Sequence, residues 1–145
     1  MTSRYQSCLI PTLIVILWLC GTLVLTPYGF AQSGQWLTPT APVVSWTDAS
    51  NYIGQTIAVQ GTIVYTYFSS YSGTSFLDFH YPYQGYFYGV VFSSDAGNFR
   101  CSITNFYLNK EVRITGMIQL YNGAPEIIIS SPSQIEVAYQ VFPCT

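Results

Sequence analysis

Apolar and polar residues alternate along two segments of the chain that share one pattern. The first segment follows the polar pair Gln55-Thr56 and has, at every second position, Ile57, Val59, Gly61 and Ile63. The second follows Lys110-Glu111 and repeats the pattern as Val112, Ile114, Gly116 and Ile118. This alternation predicts half-buried β-strands, and an inward glycine lets such a strand bend sharply. Two bent strands of this kind predict a small closed β-barrel.

The same alternation predicts five strands in all. They cover residues 56–68, 75–80, 86–92, 110–121 and 125–129, and residues 134–137 form a short extension. Asn122-Gly123 joins the last two strands as a tight hairpin. Apolar spacings of three and four predict a short helix that starts near Ser45 and ends at Gly54, and a helix or compact loop within residues 95–108. The expected fold class is all-β with short helices.

Residues 1–31 are expected to be a targeting segment that precedes the barrel. Arg4 comes before the uncharged run Leu9–Leu25, and the small residues Gly29 and Ala31 close the segment. This order is typical of a signal peptide cleaved after Ala31. The run is, however, longer than a signal core of roughly 7 to 15 residues, and it falls at the short edge of the roughly 17 to 25 residues of a membrane-spanning helix. An uncleaved transmembrane anchor and a lipoprotein site at Cys20 are the alternatives. All three hypotheses predict that the barrel lies outside the cytoplasm, either secreted or anchored in the cell envelope.

The remaining chain has the length of one domain with one core. Residues 32–43, rich in Thr, Pro, Gly and Gln, predict a linker; residues 44–139 are the barrel domain and residues 140–145 a C-terminal tail. Two of the four cysteines lie in the targeting segment, which leaves Cys101 and Cys144. In an oxidising compartment these two are expected to form a disulfide. No Cys-x-x-Cys spacing occurs and His80 is the only histidine, so we predict neither a metal site nor a cofactor.

The charge balance weighs against a polyanionic ligand. The chain has four Lys and Arg residues against six Asp and Glu residues, and one of the four cations, Arg4, lies in the targeting segment. Binding to a phosphate backbone depends on Lys and Arg side chains that replace counterions. A mildly acidic surface with so few cations is poorly suited to that role.

Three stretches of the sequence resemble one family. Residues 54–63 and 110–116 are similar to the paired openings of bacterial OB-fold domains of the nucleic-acid-binding type, and residues 121–129 with 132–135 are similar to their closing hairpin. The resemblance covers residues 44–137. It implies a five-stranded OB-fold barrel with a helical insert between the third and fourth strands, and it implies nucleic-acid binding on the barrel face. OB-folds also hold oligosaccharides and proteins, so the ligand stays open.

Tyrosines from the first three predicted strands and their turns are the candidate ligand-binding surface. They are Tyr65, Tyr67, Tyr71, Tyr81, Tyr83, Tyr86 and Tyr88. Such rings stack on bases or sugars without needing charge, whereas the alternative is that they pack in the core or cap the barrel ends. Arg113 is added as the cation of the site, and an ordinary exposed strand arginine near Glu111 is the alternative for it.

No set of residues predicts an enzyme. Asp78 and His80 are two residues apart in the second predicted strand, so their side chains point to the same side. No nucleophile or second acid accompanies them, and we therefore expect a solvent-facing polar pair. Glu126 is assigned a structural role in the closing hairpin. The sequence favours a non-catalytic, exported binding module for a glycan, a protein or single-stranded nucleic acid. The alternative is a structural or protein-interaction subunit of an envelope complex, tethered to the membrane through the N-terminal helix.

Overall fold

The computed structural model describes residues 41–138, which form mainly β-strands. The nine strands in this range are β1 (Val43–Ser45), β2 (Thr56–Thr62), β3 (Tyr65–Ser69), β4 (Thr74–Asp78), β5 (Tyr88–Val91), β6 (Glu111–Met117), β7 (Gln119–Tyr121), β8 (Ala124–Ile128) and β9 (Ile135–Val137). One α-helix, α1 (Ile103–Tyr107), and three short 3-10 helices, Trp46–Tyr52, Ala96–Asn98 and Pro132–Gln134, complete the set. The expected all-β class with short helices is confirmed.

The strands form two sheets. Sheet 1 has the order β1-β2-β6-β9, and sheet 2 has the order β3-β4-β5-β8-β7. The β1–β2 and β5–β8 pairs are parallel, and the other pairs are antiparallel. The prediction of five strands in one closed barrel is therefore wrong in its strand count and in its closure.

Two long predicted strands are each divided between the sheets, which explains the higher strand count. At Ile63 the backbone N–H still donates to Lys110 O beside sheet 1, at 3.0 Å, whereas the next N–H, of Val64, donates to Asp78 O beside sheet 2, at 2.9 Å. Ile118 separates β6 from β7 in the same way, and its N–H donates to Gln55 O at 3.0 Å. Both isoleucine side chains are fully buried. The two sheets thus share two continuous chain segments that change partners at a buried corner.

The two copies of the repeated pattern pair with each other as β2 and β6. Ile57 lies opposite Gly116, and Gly61 lies opposite Val112. A Cβ atom on Gly116 would come within 2.6 Å of Ile127 Cγ2, and one on Gly61 would meet the rings of Trp46 and Phe79. The glycines therefore permit close packing of side chains against the strand backbone. From the sequence pattern alone, we had expected them to let the strands bend.

A single main core joins the two sheets. Sheet 1 contributes aliphatic side chains such as Val59 and Ile114, and sheet 2 contributes Leu77 and Ile127. Helix α1 adds Ile103 and Tyr107 and lies against β3 and β4. Burial of this apolar surface is the main force that holds the sheets together. Because only one face of sheet 2 packs in this core, the opposite face of the sheet can line a ligand pocket.

Several local predictions are confirmed. The first predicted helix is the 3-10 helix Trp46–Tyr52, capped by Ser45 Oγ, which accepts from Thr47 N at 3.3 Å, and Gly54 follows it with a φ of 82°. Asn122 and Gly123 have φ values of 49° and 83°, as a tight hairpin requires. Residues 135–137 form the expected last strand, β9.

Other expectations fall outside the described residues. The targeting segment 1–31, most of the linker 32–43 and the tail with Cys144 lie there. Among residues 41–138, no helix has the length and apolar character needed to cross a membrane.

Candidate ligand pocket

The outer face of sheet 2 carries a concave pocket of about 710 Å³. We call it the tyrosine pocket because its aromatic lining consists of Tyr65, Tyr67, Phe76, Tyr81, Tyr83, Tyr88 and Tyr121. The remaining lining residues are Asp78, Pro82, Gln84, Gly85, Asn122 and Ala124. No cationic side chain of residues 41–138 lines it. The pocket therefore presents flat rings and one carboxyl group, which suits a neutral or a positively charged ligand.

Strand alternation places the pocket side chains. Leu77 in β4 is fully buried in the main core, so its neighbours Phe76 and Asp78 point to the opposite face. In β5, Tyr88 and Val90 pack with Ala124 of β8 in a second small apolar cluster on that face. A regular pleated sheet thus fixes the floor of the pocket.

The face of sheet 2 that bears the pocket contains a row of polar side chains, which crosses all five strands. Tyr65 lies opposite Asp78, Asp78 opposite Tyr88, Tyr88 opposite Glu126, and Glu126 opposite Gln119. Asp78, Tyr88 and Glu126, in the middle of this row, are all buried. Buried carboxyl groups are costly unless they are neutralised or hydrogen-bonded, so the surroundings of each acid decide what it does.

Glu126 is hydrogen-bonded by its neighbours in the row. Gln119 Nε2 donates to Glu126 Oε1 at 2.7 Å, and the Tyr88 hydroxyl donates to the same carboxylate. Burial, followed by this hydrogen bond and the charge of Glu126, raises the pKa of Tyr88 above its ordinary value. Glu126 therefore has a structural role, but within strand β8, beside the pocket residue Tyr88, instead of in the hairpin turn.

Asp78 has a different environment. Its residue surface is only 3 % exposed, and within residues 41–138 its carboxyl group makes no hydrogen bond or ion pair. Burial raises the pKa of this carboxyl group from 3.8 to about 6. The side chain nevertheless reaches the pocket lining. Asp78 is thus an unpartnered acid that borders the cavity.

The aromatic walls are arranged at angles to one another. The rings of Tyr65 and Tyr81 have centroids 5.0 Å apart and an interplanar angle of 47°. Tyr67 stacks on Phe76 at 6.1 Å, and Phe76 lies 6.1 Å from Tyr88. Tyr67 and Tyr81 are 52 % and 67 % exposed, so their rings remain accessible to a ligand.

Five of the seven predicted tyrosines line the pocket: Tyr65, Tyr67, Tyr81, Tyr83 and Tyr88. Tyr71 does not, because it lies in the turn between β3 and β4 and is fully exposed. Tyr86 also does not line the pocket; it stacks on His80 with centroids 3.8 Å apart, beside Trp46. That the lining tyrosines bind a ligand stays a prediction.

Arg113 lies away from the pocket, in strand β6 of sheet 1. It is 5 % exposed because β9 pairs alongside it, with Glu136 directly opposite. Its Nη2 donates to Gln60 Oε1 at 3.3 Å, and its Nη1 lies 3.7 Å from Glu136 Oε2. The expectation of an exposed strand arginine is wrong, and the side chain does not line the pocket with the tyrosines.

Asp78 and His80 do not form the expected solvent-facing pair. Strand β4 ends at Asp78, and His80 Nδ1 lies 2.9 Å from Pro82 O in the following loop. No hydrogen bond joins the two side chains in the described part of the chain. Phe76 and Tyr121 are pocket residues that the sequence reasoning missed, although the position of Phe76 beside core Leu77 was the available signal.

Two further observations concern the remaining candidate sites. Cys101 is disulfide-bonded. Its predicted partner, Cys144, lies beyond residue 138, so the pairing stays a prediction. Between residues 41 and 138 no three His, Cys, Asp or Glu side chains cluster in a way that could hold a metal ion.

Comparisons with known proteins give little to add to this geometry. No family model matches the sequence, and no curated protein matches it. Among solved structures, one similar chain is assigned as an aspartyl-tRNA synthetase from Leishmania major Friedlin, with 8 % sequence identity and a TM-score of 0.46. The match covers 74 % of this chain and 22 % of that chain. A likeness this low supports no functional conclusion.

Proposed function

We propose that this chain is a non-catalytic binding module of the OB type, which holds its ligand in the tyrosine pocket. The observation that carries the proposal is the pocket itself, in which seven aromatic side chains surround one buried carboxyl group. Concave sites with mainly apolar walls and few polar groups are the usual form of small-ligand sites. The sheet beneath the pocket holds the side chains in fixed positions.

The OB assignment is supported by sequence and by strand order. The resemblance to bacterial OB-fold domains covers residues 44–137. Sheet 2 has the order β3-β4-β5-β8-β7, and β2 and β6, which continue into β3 and β7, pair with each other. Five segments in this order, with a helical insert before β6, correspond to the five OB strands.

Nucleic acid, which the resemblance implies, is disfavoured as the ligand by the positions of the cations. Arg113 is buried beside Glu136, and Lys110 Nζ lies 3.5 Å from the centroid of the Phe106 ring. None of the described Lys or Arg side chains lines the pocket. A nucleic acid bound there would rely on stacking alone, with little salt dependence.

An alternative function is a structural or protein-interaction subunit of an envelope complex. It is favoured by apolar exposure at β3, an edge strand of sheet 2: Val64, which directly precedes the strand, is 46 % exposed, and Phe68 within it is 55 % exposed. An edge strand has unpaired backbone groups that can pair with another chain. The predicted targeting segment supports a location outside the cytoplasm for both functions.

Calorimetry with point variants tests the binding proposal. Choline, neutral oligosaccharides and single-stranded DNA and RNA would be titrated into the wild-type domain, Tyr67→Ala, Tyr81→Ala and the control Tyr71→Ala. We expect one class of compound to bind, with roughly tenfold or greater weakening in the two pocket variants and none in Tyr71→Ala. Equal effects of all three variants, or no binding by any compound, would overturn the proposal.

A further inference from the structure

We propose that the tyrosine pocket recognises an alkylammonium group, held by the Asp78 carboxylate and by the faces of the surrounding tyrosines. This inference rests on the proposed function, because it assumes that the pocket is a ligand site. It adds to that function the chemical class of the ligand group that binds in the tyrosine pocket. Three properties of the pocket, as residues 41–138 form it, carry the inference: an acid whose carboxyl group has no partner, a lining without Lys or Arg, and aromatic faces that meet at an angle.

The first property is the isolation of Asp78. A residue that is 3 % exposed and whose carboxyl group has no hydrogen bond or ion pair in residues 41–138 carries an uncompensated desolvation cost when ionised. Buried acids in proteins are normally paired, and Asp78 borders a cavity from which a partner can approach it. A ligand cation placed there supplies the charge that the chain does not.

The second property is that none of the Lys and Arg side chains in residues 41–138 lines the pocket. Glu126, two strands away from Asp78 on the same face of sheet 2, is already bonded by Gln119 and Tyr88. A carboxylate at Asp78 therefore meets no cation of the described chain in the pocket, and it attracts cationic ligands and repels phosphate or carboxylate ligands.

The third property is the aromatic lining. The faces of Tyr65 and Tyr81 are inclined at 47° with centroids 5.0 Å apart, beside the strand position of Asp78. An ammonium group with methyl or methylene substituents gains cation–π attraction from such faces and apolar contact from its carbon atoms. Aromatic walls around a carboxylate are the arrangement that alkylated ammonium ions need.

A neutral sugar is the main competing ligand class. Sugar rings stack on tyrosine, and sugar hydroxyl groups donate hydrogen bonds to carboxylates. A sugar, however, leaves the negative charge of Asp78 uncompensated, whereas an ammonium ion neutralises it. The decisive comparison is therefore between two ligands of the same shape that differ only in charge.

Choline and its uncharged isostere 3,3-dimethyl-1-butanol provide that comparison. Each would be titrated into the wild-type domain, into Asp78→Asn and into the control Asp48→Asn, which removes the same charge from an exposed residue of the first 3-10 helix. Chemical shifts of the tyrosine ring protons report occupancy of the pocket. We expect choline to bind about tenfold or more tightly than the isostere, and Asp78→Asn alone to abolish this preference.

The outcomes separate this inference from the proposed function. Equal binding of choline and the isostere, or binding of a neutral oligosaccharide that Asp78→Asn leaves unchanged, would overturn the ammonium inference while the pocket remains a ligand site. Failure of every compound to bind would overturn both. A peptide that carries trimethyllysine distinguishes the source of the group: tighter binding than choline assigns it to a protein partner, and weaker binding assigns it to a small molecule.

Discussion

Asp78 lies directly opposite Tyr88 in antiparallel strands β4 and β5, and both side chains face the tyrosine pocket. The hydrogen bonding of their side chains differs, since the Tyr88 hydroxyl donates to Glu126 whereas the Asp78 carboxyl group has no hydrogen-bond partner in the described residues. The Tyr88 side chain is therefore fixed by a neighbour in the sheet, whereas the Asp78 carboxyl group is the one that we propose for ligand binding. This difference gives two predictions with distinct readouts.

The first prediction concerns pH and stability. Because burial raises the pKa of Asp78 from 3.8 to about 6, the folded state holds this proton more tightly than the unfolded state. The contribution of Asp78 to the free energy of unfolding therefore falls as pH rises from about 4 to about 6, by up to about 3 kcal/mol. The other ionisable groups around it are Glu126 and the tyrosines at positions 65, 81, 83, 88 and 121.

Urea denaturation of the wild type and of Asp78→Asn across pH 4 to 7 measures this effect. We expect Asp78→Asn to become progressively more stable than the wild type as pH rises, because the amide cannot ionise. The difference between the two proteins removes the contributions of the other acids. A difference that does not change with pH would contradict the prediction.

The second prediction concerns the hydroxyl of Tyr88. Replacement Tyr88→Phe keeps the ring but removes the donor to the buried Glu126 carboxylate, and should lower the free energy of unfolding by about 1 to 3 kcal/mol. Tyr71→Phe, at a fully exposed position, is the matched control and should change nothing. Thermal or chemical denaturation gives both values, and equal stability of the two variants would remove the proposed role of the hydroxyl.

The third prediction concerns the close packing at the paired glycines. Gly116→Ala places a Cβ atom within 2.6 Å of Ile127 Cγ2 in the main core, so we expect a loss of about 1 to 3 kcal/mol through overpacking. Gly97→Ala is the control, because a Cβ atom there meets nothing within 4 Å. Denaturation curves should separate the two. If Gly116→Ala were as stable as Gly97→Ala, the packing account of the repeat would fail.

The fourth prediction concerns the disulfide. Cys101 is disulfide-bonded, and Cys144 is the predicted partner. Peptide mapping of the non-reduced protein by mass spectrometry should give a linked Cys101–Cys144 peptide. Closing a loop of this length should stabilise the fold by on the order of 3 to 4 kcal/mol, which reduction would remove. A linkage of Cys101 to another cysteine would show that the assignment is wrong.

The fifth prediction concerns the N-terminus. N-terminal sequencing of the native protein, from both membrane and soluble fractions, should find Gln32 as the first residue if the signal is cleaved. A native N-terminus at Met1 would instead support the tethered subunit.

The face on which each pocket residue lies could be predicted from alternation alone. Leu77 and Phe76 show this, because assignment of one to the core assigns the other to the opposite face. The change of partner at Ile63 could not be predicted, since the alternation continues through it without a break. The alternation tells which face of the sheet each side chain occupies, whereas the hydrogen-bond partners of a strand depend on the tertiary structure.

Burial of charged residues was the other property that the sequence did not reveal. Arg113 is buried because β9 lies beside it, and Asp78 because neighbouring strands and the loop at residues 81–85 surround it. Both causes are long-range in sequence. From the sequence alone, a charged residue at an outward strand position is therefore predicted to be exposed. Only the tertiary structure shows which strands or loops cover it.

The chain segment that continues from β2 through Ile63 into β3 must have a fixed number of residues for Tyr65 and Tyr67 to face the pocket. One extra residue inserted between Thr62 and Val64 would leave β2 in register but move Val64 and Thr66 into the positions of Tyr65 and Tyr67. An aromatic wall would then become an aliphatic and hydroxyl wall without any amino-acid replacement. The same slip would turn Tyr65 and Tyr67 to the opposite face of β3, towards helix α1, so packing on both faces of sheet 2 fixes the length of this segment.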